Sequence, residues 1–215
     1  MKIIPSWTVP MFHFEWEDHA QNKANLLAYC YELQHKKSKS GVAESIKKGL
    51  YESDFDFFKG ENESVSKLLE FCRYSMFEAA SHANKGLWGA GARVGVDVHE
   101  SWCHITKNGG YHDMHQHPNS AWSGIYYIEA GESDSDSRSG VNRFYSPFKP
   151  SYSDIGTKWS SMSTSIDIIP VEGQLVVFPS WVDHSAMPYQ GKTDRVVVAF
   201  NAKFIDGTNN TTINI

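Results

Sequence analysis

The sequence predicts a mainly β domain of jelly-roll type, or a related closed β-sandwich, with two helices at its flank. Three observations predict it. From Ala92 onward, short apolar stretches such as ESWCHIT, GIYYIEA, QLVVFP and RVVVAF recur between turn signals, Asn108-Gly109-Gly110 among them. Helical spacing of apolar residues is confined to the part before residue 92. Aromatic residues are abundant, with 7 Trp, 10 Tyr and 12 Phe, which suits a β-rich core around a lined cavity. The chain has 215 residues, enough for one well-filled domain, and neither an internal repeat nor a domain boundary is visible. The expected organisation is one domain over 1–215, with an N-terminal strand and flanking helices in 1–91 and a β core in 92–204.

The elements follow in order. Residues 3–16 alternate Met11, His13 and Glu15 with Phe12, Phe14 and Trp16, and Pro5 and Pro10 make the segment an edge strand. Asp18, three residues before Gln21, resembles a capping box. Leu26, Leu27, Cys30, Tyr31 and Leu33 then predict a helix over 18–36. Residues 37–60 are polar and irregular, with Phe55, Phe57 and Phe58 pinning them to the body. A second helix is expected over 62–82, from the stripe Val65, Leu68, Leu69, Cys72, Met76, Ala79 and Ala80, with Gly86 beyond its end. Both helices are expected to pack on the outside of a sheet.

Val94, Val96 and Val98 open a strand that runs through Trp102 and Ile105 to the Asn108-Gly109-Gly110 turn. Two strands follow, on either side of Pro118-Asn119-Ser120. Residues 131–140, GESDSDSRSG, have no apolar anchor and read as a mobile surface loop or a lid, the plain loop being favoured. NRFYSPF, a long Ser-rich connection and SIDIIP lead to QLVVFPSW, an apolar run of buried-strand type, and then to RVVVAFNAKF. The tail GTNNTTINI reads as frayed.

Composition excludes several function classes. Hydrophobic residues make up 40% and charged residues 21%, an ordinary globular balance. The formal net charge is −5 and the 131–140 loop is acidic, so no global field attracts nucleic acid or an anionic membrane, while a local basic pocket stays open. Cys30, Cys72 and Cys103 are widely spaced and odd in number, which suits reduced core thiols in a reducing compartment. The N-terminus lacks the apolar run of a signal peptide, and no stretch approaches the roughly 18 apolar residues of a membrane span. The expectation is a soluble cytoplasmic protein, with the N-terminal strand and helices as the contact surface of any homodimer.

Chemistry concentrates in YHDMHQHPNSAWSGIYY, residues 111–127. It holds three of the ten histidines. His115 and His117 stand two apart, so in a strand they share a face, whereas His112 falls on the opposite one. Pro118 restrains His117 to extended backbone. His184 is a distant third imidazole. Two histidines and one carboxylate on one side of a metal are the usual ligands of non-haem Fe(II), because they leave positions open for a cosubstrate and oxygen. Arg195 lies eleven residues after His184 in an otherwise apolar strand. A buried guanidinium needs a partner, and a bidentate carboxylate fits it. A metal with an arginine nearby can hold both ends of a dicarboxylate such as 2-oxoglutarate.

HQHPNSAWSGIYYI, EGQLVVFPSWVDHSAMP and DRVVVAFN, in this order over residues 100–204, resemble the 2-oxoglutarate/Fe(II)-dependent oxygenase superfamily. More narrowly, they resemble a branch with HxHPxSxxSGxYY and FPSWxxH patterns, similar at a distance to prolyl hydroxylases and common in bacteria and their phages. The resemblance implies a double-stranded β-helix, Fe(II), 2-oxoglutarate as cosubstrate and O2. It implies hydroxylation of a substrate with release of succinate and CO2, with no catalytic side chain beyond the metal centre. It makes His115, His117 and His184 the metal ligands, Arg195 the residue that holds the cosubstrate carboxylate, and Tyr127 and Ser123 hydroxyl donors nearby. The family's HxD is HxH here, so Asp113, on the His115 face by parity, and Asp183, beside His184, stay open as carboxylate ligands. The position that an asparagine often fills before the Gly-Gly turn is unsettled between His104 and Asn108.

Other readings of the same residues are bland. His13, His19, His35, His82 and His99 carry no functional assignment. Arg195 could pair with Asp194 or Glu172 in a structural salt bridge. Tyr126 and Tyr127 alternate faces, so only one can point into the barrel. A cupin-like metal- or ligand-binding module without turnover, to which HxH pairs are also common, would bind metal without depending on Arg195. The substrate itself, a small molecule or a protein side chain, is not written in the sequence.

Overall fold

In a computed structural model of the chain, residues 8–39, 49–85, 87–88, 92–148, 155 and 164–206 are described. Residues 3–7 of the expected first strand, Gly86, most of the Ser-rich connection and the tail from 207 lie outside them. The elements are β1 (Phe12–Glu15), α1 (His19–Lys39), β2 (Leu50–Glu52), a 3-10 turn at Phe57–Lys59, α2 (Glu63–Ala83), β3 (Val94–Thr106), β4 (His112–His115), β5 (Trp122–Glu129), β6 (Asn142–Tyr145), β7 (Ser165–Ile168), β8 (Gln174–Pro179), β9 (His184–Ala186) and β10 (Arg195–Asp206).

They form two antiparallel sheets, one of six strands in the order β1-β8-β5-β10-β3-β2 and one of four in the order β4-β9-β6-β7. This is the expected double-stranded β-helix. Period-two alternation divides each central strand between two cores. On β8, Leu175 and Val177 face one way and Val176 and Phe178 the other; on β10, Val196, Val198 and Phe200 oppose Val197. The outer set packs under the helices with Leu26, Cys30, Leu68, Cys72 and Met76. The inner set, with Ile125 and Tyr127, meets Phe144 of the smaller sheet, whose ring lies 4.8 Å from that of Phe178. β5 is buried on both faces, which is why it reads as a continuous apolar run.

Both helices form where their stripes predict. Asn62 caps α2, its side-chain oxygen accepting from the Val65 N–H (3.2 Å). β1 is an edge strand, as its prolines suggest. No described helix is long and apolar enough to cross a membrane.

Two expectations need correction. The segment 37–60 is not irregular throughout. Leu50–Glu52 pairs with β3 as an edge strand, and of the residues expected to pin the segment Phe57 is buried as predicted while Phe55 is exposed. Three residues are too few to show a period, so β2 is invisible to pattern reading. The 131–140 loop has an anchor, supplied from elsewhere in the chain. The fully buried Tyr189 phenol accepts from the Glu132 N–H (2.8 Å) and donates to the Thr193 carbonyl (2.7 Å). The Ser139 hydroxyl accepts from the Gln190 N–H (2.8 Å). Gly140, at φ +66°, passes so close to Tyr189 that a Cβ would lie 2.8 Å from its ring.

Candidate metal centre

The smaller sheet brings His115 and His184 together by direct pairing, since the two are register partners across β4 and β9. Their ring centroids are 4.3 Å apart. β4 ends at His115, so strand parity is not what sets His117 beside it. Instead the His117 N–H donates to the Ser180 carbonyl (2.9 Å), and its ring lies 5.0 Å from that of His115 and 5.2 Å from that of His184. One nitrogen from each of the three lies within 4.8 Å of the others.

These imidazoles are prepared to bind a cation. The Nδ1 of His115 is 2.7 Å from the Asp113 carbonyl oxygen, and that of His184 is 3.0 Å from the Val182 carbonyl oxygen. A carbonyl can only accept, so Nδ1 carries the proton and Nε2 keeps a lone pair. Burial pulls the pKa of His184 down to about 3, with neighbouring His115 adding to the effect. The same two causes, in the same order, bring His117 to about 4. Three imidazole nitrogens around one point suit a first-row divalent metal.

Asp113 and Asp183 are exposed, and neither belongs to this group of donors. His112 departs from expectation. Strand parity puts it opposite His115, yet their ring centroids are 4.1 Å apart, because the β4–β9 register shifts between the two residues. A bulge adds one residue and reverses the parity of all that follows.

Arg195 opens β10 and points inward with Val197. It is 2% exposed and lines the same cavity as the three histidines, together with Trp102, Ser123 and Asn142. Burial lowers the pKa of its guanidinium, with the Tyr127 and Tyr189 phenols opposing. Neither acid that could have paired with it does so: Glu172 takes Lys23 (2.8 Å), and Asp194 accepts from the Tyr31 hydroxyl (3.0 Å). Arg195 instead donates from Nη2 to the side-chain oxygen of Asn142 (2.6 Å), and its Nε–H has no partner. Tyr127 faces the barrel and Tyr126 the helices. The Tyr127 hydroxyl donates to that same Asn142 oxygen (2.9 Å), and the guanidinium carbon lies 5.6 Å from the centre of its ring. The Ser123 hydroxyl donates to the Asn201 oxygen (2.8 Å) and lies 2.8 Å from the Ser180 hydroxyl.

Sequence reading missed Asn142 and Trp102. Asn142 is one polar residue at the start of the short strand β6, with nothing in its spacing to single it out. Trp102 reads only as part of the strand that Val94 opens, but its buried indole N–H lacks a partner beside the cavity. Such orphaned donors are uncommon and point to a ligand that takes them up.

Known proteins share this fold. Residues 100–201 match the family model described as "Putative 2OG-Fe(II) oxygenase". A prolyl-4-hydroxylase from Pseudomonas putida superposes with a TM-score of 0.56 at 19% identity, over 91% of this chain and 94% of its own. A prolyl hydroxylase from Trichoplax adhaerens, solved with a hypoxia inducible factor peptide fragment, gives 0.56 at 13% identity over 89% and 82%. HygX from Streptomyces hygroscopicus, solved with nickel, 2-oxoglutarate and hygromycin B bound, gives 0.57 at 9% identity over 91% and 83%. No curated protein matches the chain in sequence. The family match spans the three histidines and Arg195, and together with the shared fold it supports a 2-oxoglutarate/Fe(II) oxygenase.

Proposed function

We propose that the protein hydroxylates an unactivated C–H bond, with His115, His117 and His184 holding Fe(II) and Arg195 holding the far carboxylate of 2-oxoglutarate. The balance is one substrate R–H, one 2-oxoglutarate and one O2, giving R–OH, succinate and CO2. One oxygen atom enters the alcohol and the other enters succinate. The observation that carries this reading is Arg195, a buried cation with no carboxylate partner among the described residues, facing the cavity that the histidines line. An unpaired buried charge is costly, so the site favours an anion entering from outside.

The bound metal supplies the oxygen chemistry. The chain's own residues bind and orient. His115 and His184 offer Nε2 because backbone carbonyls hold the other ring nitrogen. With His117 where a carboxylate is usual, the protein leaves the metal's positive charge uncompensated, which strengthens its attraction for an anionic chelator. Arg195 and Tyr127 both aim donors at Asn142, and a carboxylate bound there would accept what the amide oxygen accepts in its absence. Phe144 and Phe178 pack on the His184 ring, at 5.7 and 4.8 Å, and keep that side dry.

The substrate is to be found by screening. Structural neighbours include prolyl hydroxylases and a protein solved with hygromycin B, so peptides and small molecules are both candidates, read out by succinate release. The first test is anaerobic Fe(II) titration with and without 2-oxoglutarate, following the visible charge-transfer band of an iron-chelated keto acid. The band is expected in the wild type and needs far more 2-oxoglutarate in Arg195→Ala. Iron binding without any band would leave a cupin-like metal-binding module instead.

A further inference from the structure

A second group of donors lies beside the first. Glu52 ends β2, His104 sits in β3 and His112 opens β4. One oxygen and two nitrogens from these residues all lie within 4.8 Å of one another. Glu52 Oε2 is 2.7 Å from His104 Nε2 and 3.8 Å from His112 Nε2. The two imidazoles stack with centroids 5.5 Å apart. Both line the cavity of the first histidine set, where His112 adjoins His115.

We propose that Glu52, His104 and His112 form a second site for a divalent first-row metal, next to the His115–His117–His184 set and sharing no ligand with it. The donor types fit. Two imidazoles and one carboxylate suit Zn(II), Fe(II) or Mn(II), and the carboxylate offsets the charge of an ion placed near another cation. The spacing fits as well. With metal–ligand bonds near 2.1 Å, neighbouring ligand atoms stand roughly 3 to 3.5 Å apart, and the 2.7 and 3.8 Å separations straddle that range. Small side-chain rotations would equalise them.

The backbone supports the grouping. Glu52 and His104 are direct partners in the β2–β3 register, so their side chains leave one face of the sheet side by side. His112 reaches the same point because the bulge in β4 turns it to the His115 side. A plain Glu52–His104 hydrogen bond would explain two of these residues. It would not explain why a third donor from another sheet converges on the same carboxylate oxygen.

The test is metal stoichiometry. Chelator-stripped protein is loaded with Zn(II), desalted, and its metal counted by mass spectrometry, in the wild type and in Glu52→Gln, His112→Ala and His184→Ala, each checked for folding by circular dichroism. About two ions per chain are expected in the wild type, and about one in each variant. His112→Ala, on the four-stranded sheet, serves in case Glu52→Gln perturbs the β2 edge. One ion in the wild type that survives both Glu52→Gln and His112→Ala overturns the proposal and leaves a hydrogen-bonded network. Two ions in all of these proteins except His184→Ala overturns it too. One ion lost in Glu52→Gln but kept in His184→Ala upholds this site and instead removes the first set as metal ligands.

Discussion

The side-chain oxygen of Asn142 accepts from both Arg195 and Tyr127, and this one atom offers the sharpest handle on cosubstrate binding. Asn142→Asp keeps the shape and adds a negative charge against the buried guanidinium. A charge-assisted hydrogen bond is worth about 1.5–3 kcal/mol, so an internal carboxylate that satisfies Arg195 competes with the incoming one. The expected result is a loss of 2-oxoglutarate affinity of about 10- to 100-fold, with Fe(II) binding retained and Tm unchanged or higher. Titrating the charge-transfer band against 2-oxoglutarate measures it. An affinity equal to the wild type would show that the far carboxylate binds away from this cluster. At this scale the sequence was legible only where a residue type is rare in its surroundings. Arg195 stands out in a valine strand and His184 follows a quoted pattern. Asn142 does not stand out, because its role arises from where β6 and β10 cross the barrel.

Two connections show how elements are held. Arg143 on β6 and Asp167 on β7 are register partners, and the guanidinium donates to both carboxylate oxygens at 2.7 Å. The hydrogen bonds from Arg143 hold the Asp167 pKa below its ordinary value, against the opposing effect of burial. A carboxyl depressed in the folded state contributes stability above its unfolded pKa of about 3.8, and that contribution is lost as pH falls through the lower folded value. Asp167→Asn is therefore expected to lower Tm at pH 7 by the equivalent of about 1 kcal/mol, with the gap closing below about pH 3. Thermal melts of both proteins across pH check the sign. The second connection is Tyr189. Tyr189→Phe removes the acceptor for the Glu132 N–H and the donor to Thr193, at a cost of about 1–3 kcal/mol, and limited proteolysis should then cut within 131–140 faster than in the wild type. Composition alone makes that loop look free, because its anchor lies some fifty residues later. The helices and long strands were legible from their periods. β2 and the β4 bulge were not, since one is too short to show a period and the other breaks it, and with them went His112 and Glu52.

In the whole molecule, the six-stranded sheet separates two jobs. Its outer face carries the helices and the larger apolar core, and its inner face carries Arg195, Ser123 and the cavity. Stability and chemistry should therefore respond to different substitutions. Leu68 on α2 is fully buried under the outer face, among Cys72, Met76 and the β-strand side chains, and it belongs to none of the residues around the cavity. Leu68→Ala removes buried methyl groups and leaves space that packed neighbours fill only in part, which costs about 2–5 kcal/mol. A loss of that size lowers Tm by several degrees or more in a domain of this length. Because the helix contacts the sheet from the far side, Fe(II) stoichiometry and the 2-oxoglutarate dependence of the band should match the wild type at temperatures well below the new Tm. A parallel loss of cosubstrate affinity would mean that outer-face packing sets the position of Arg195 through β10, and that the sheet transmits strain between its faces.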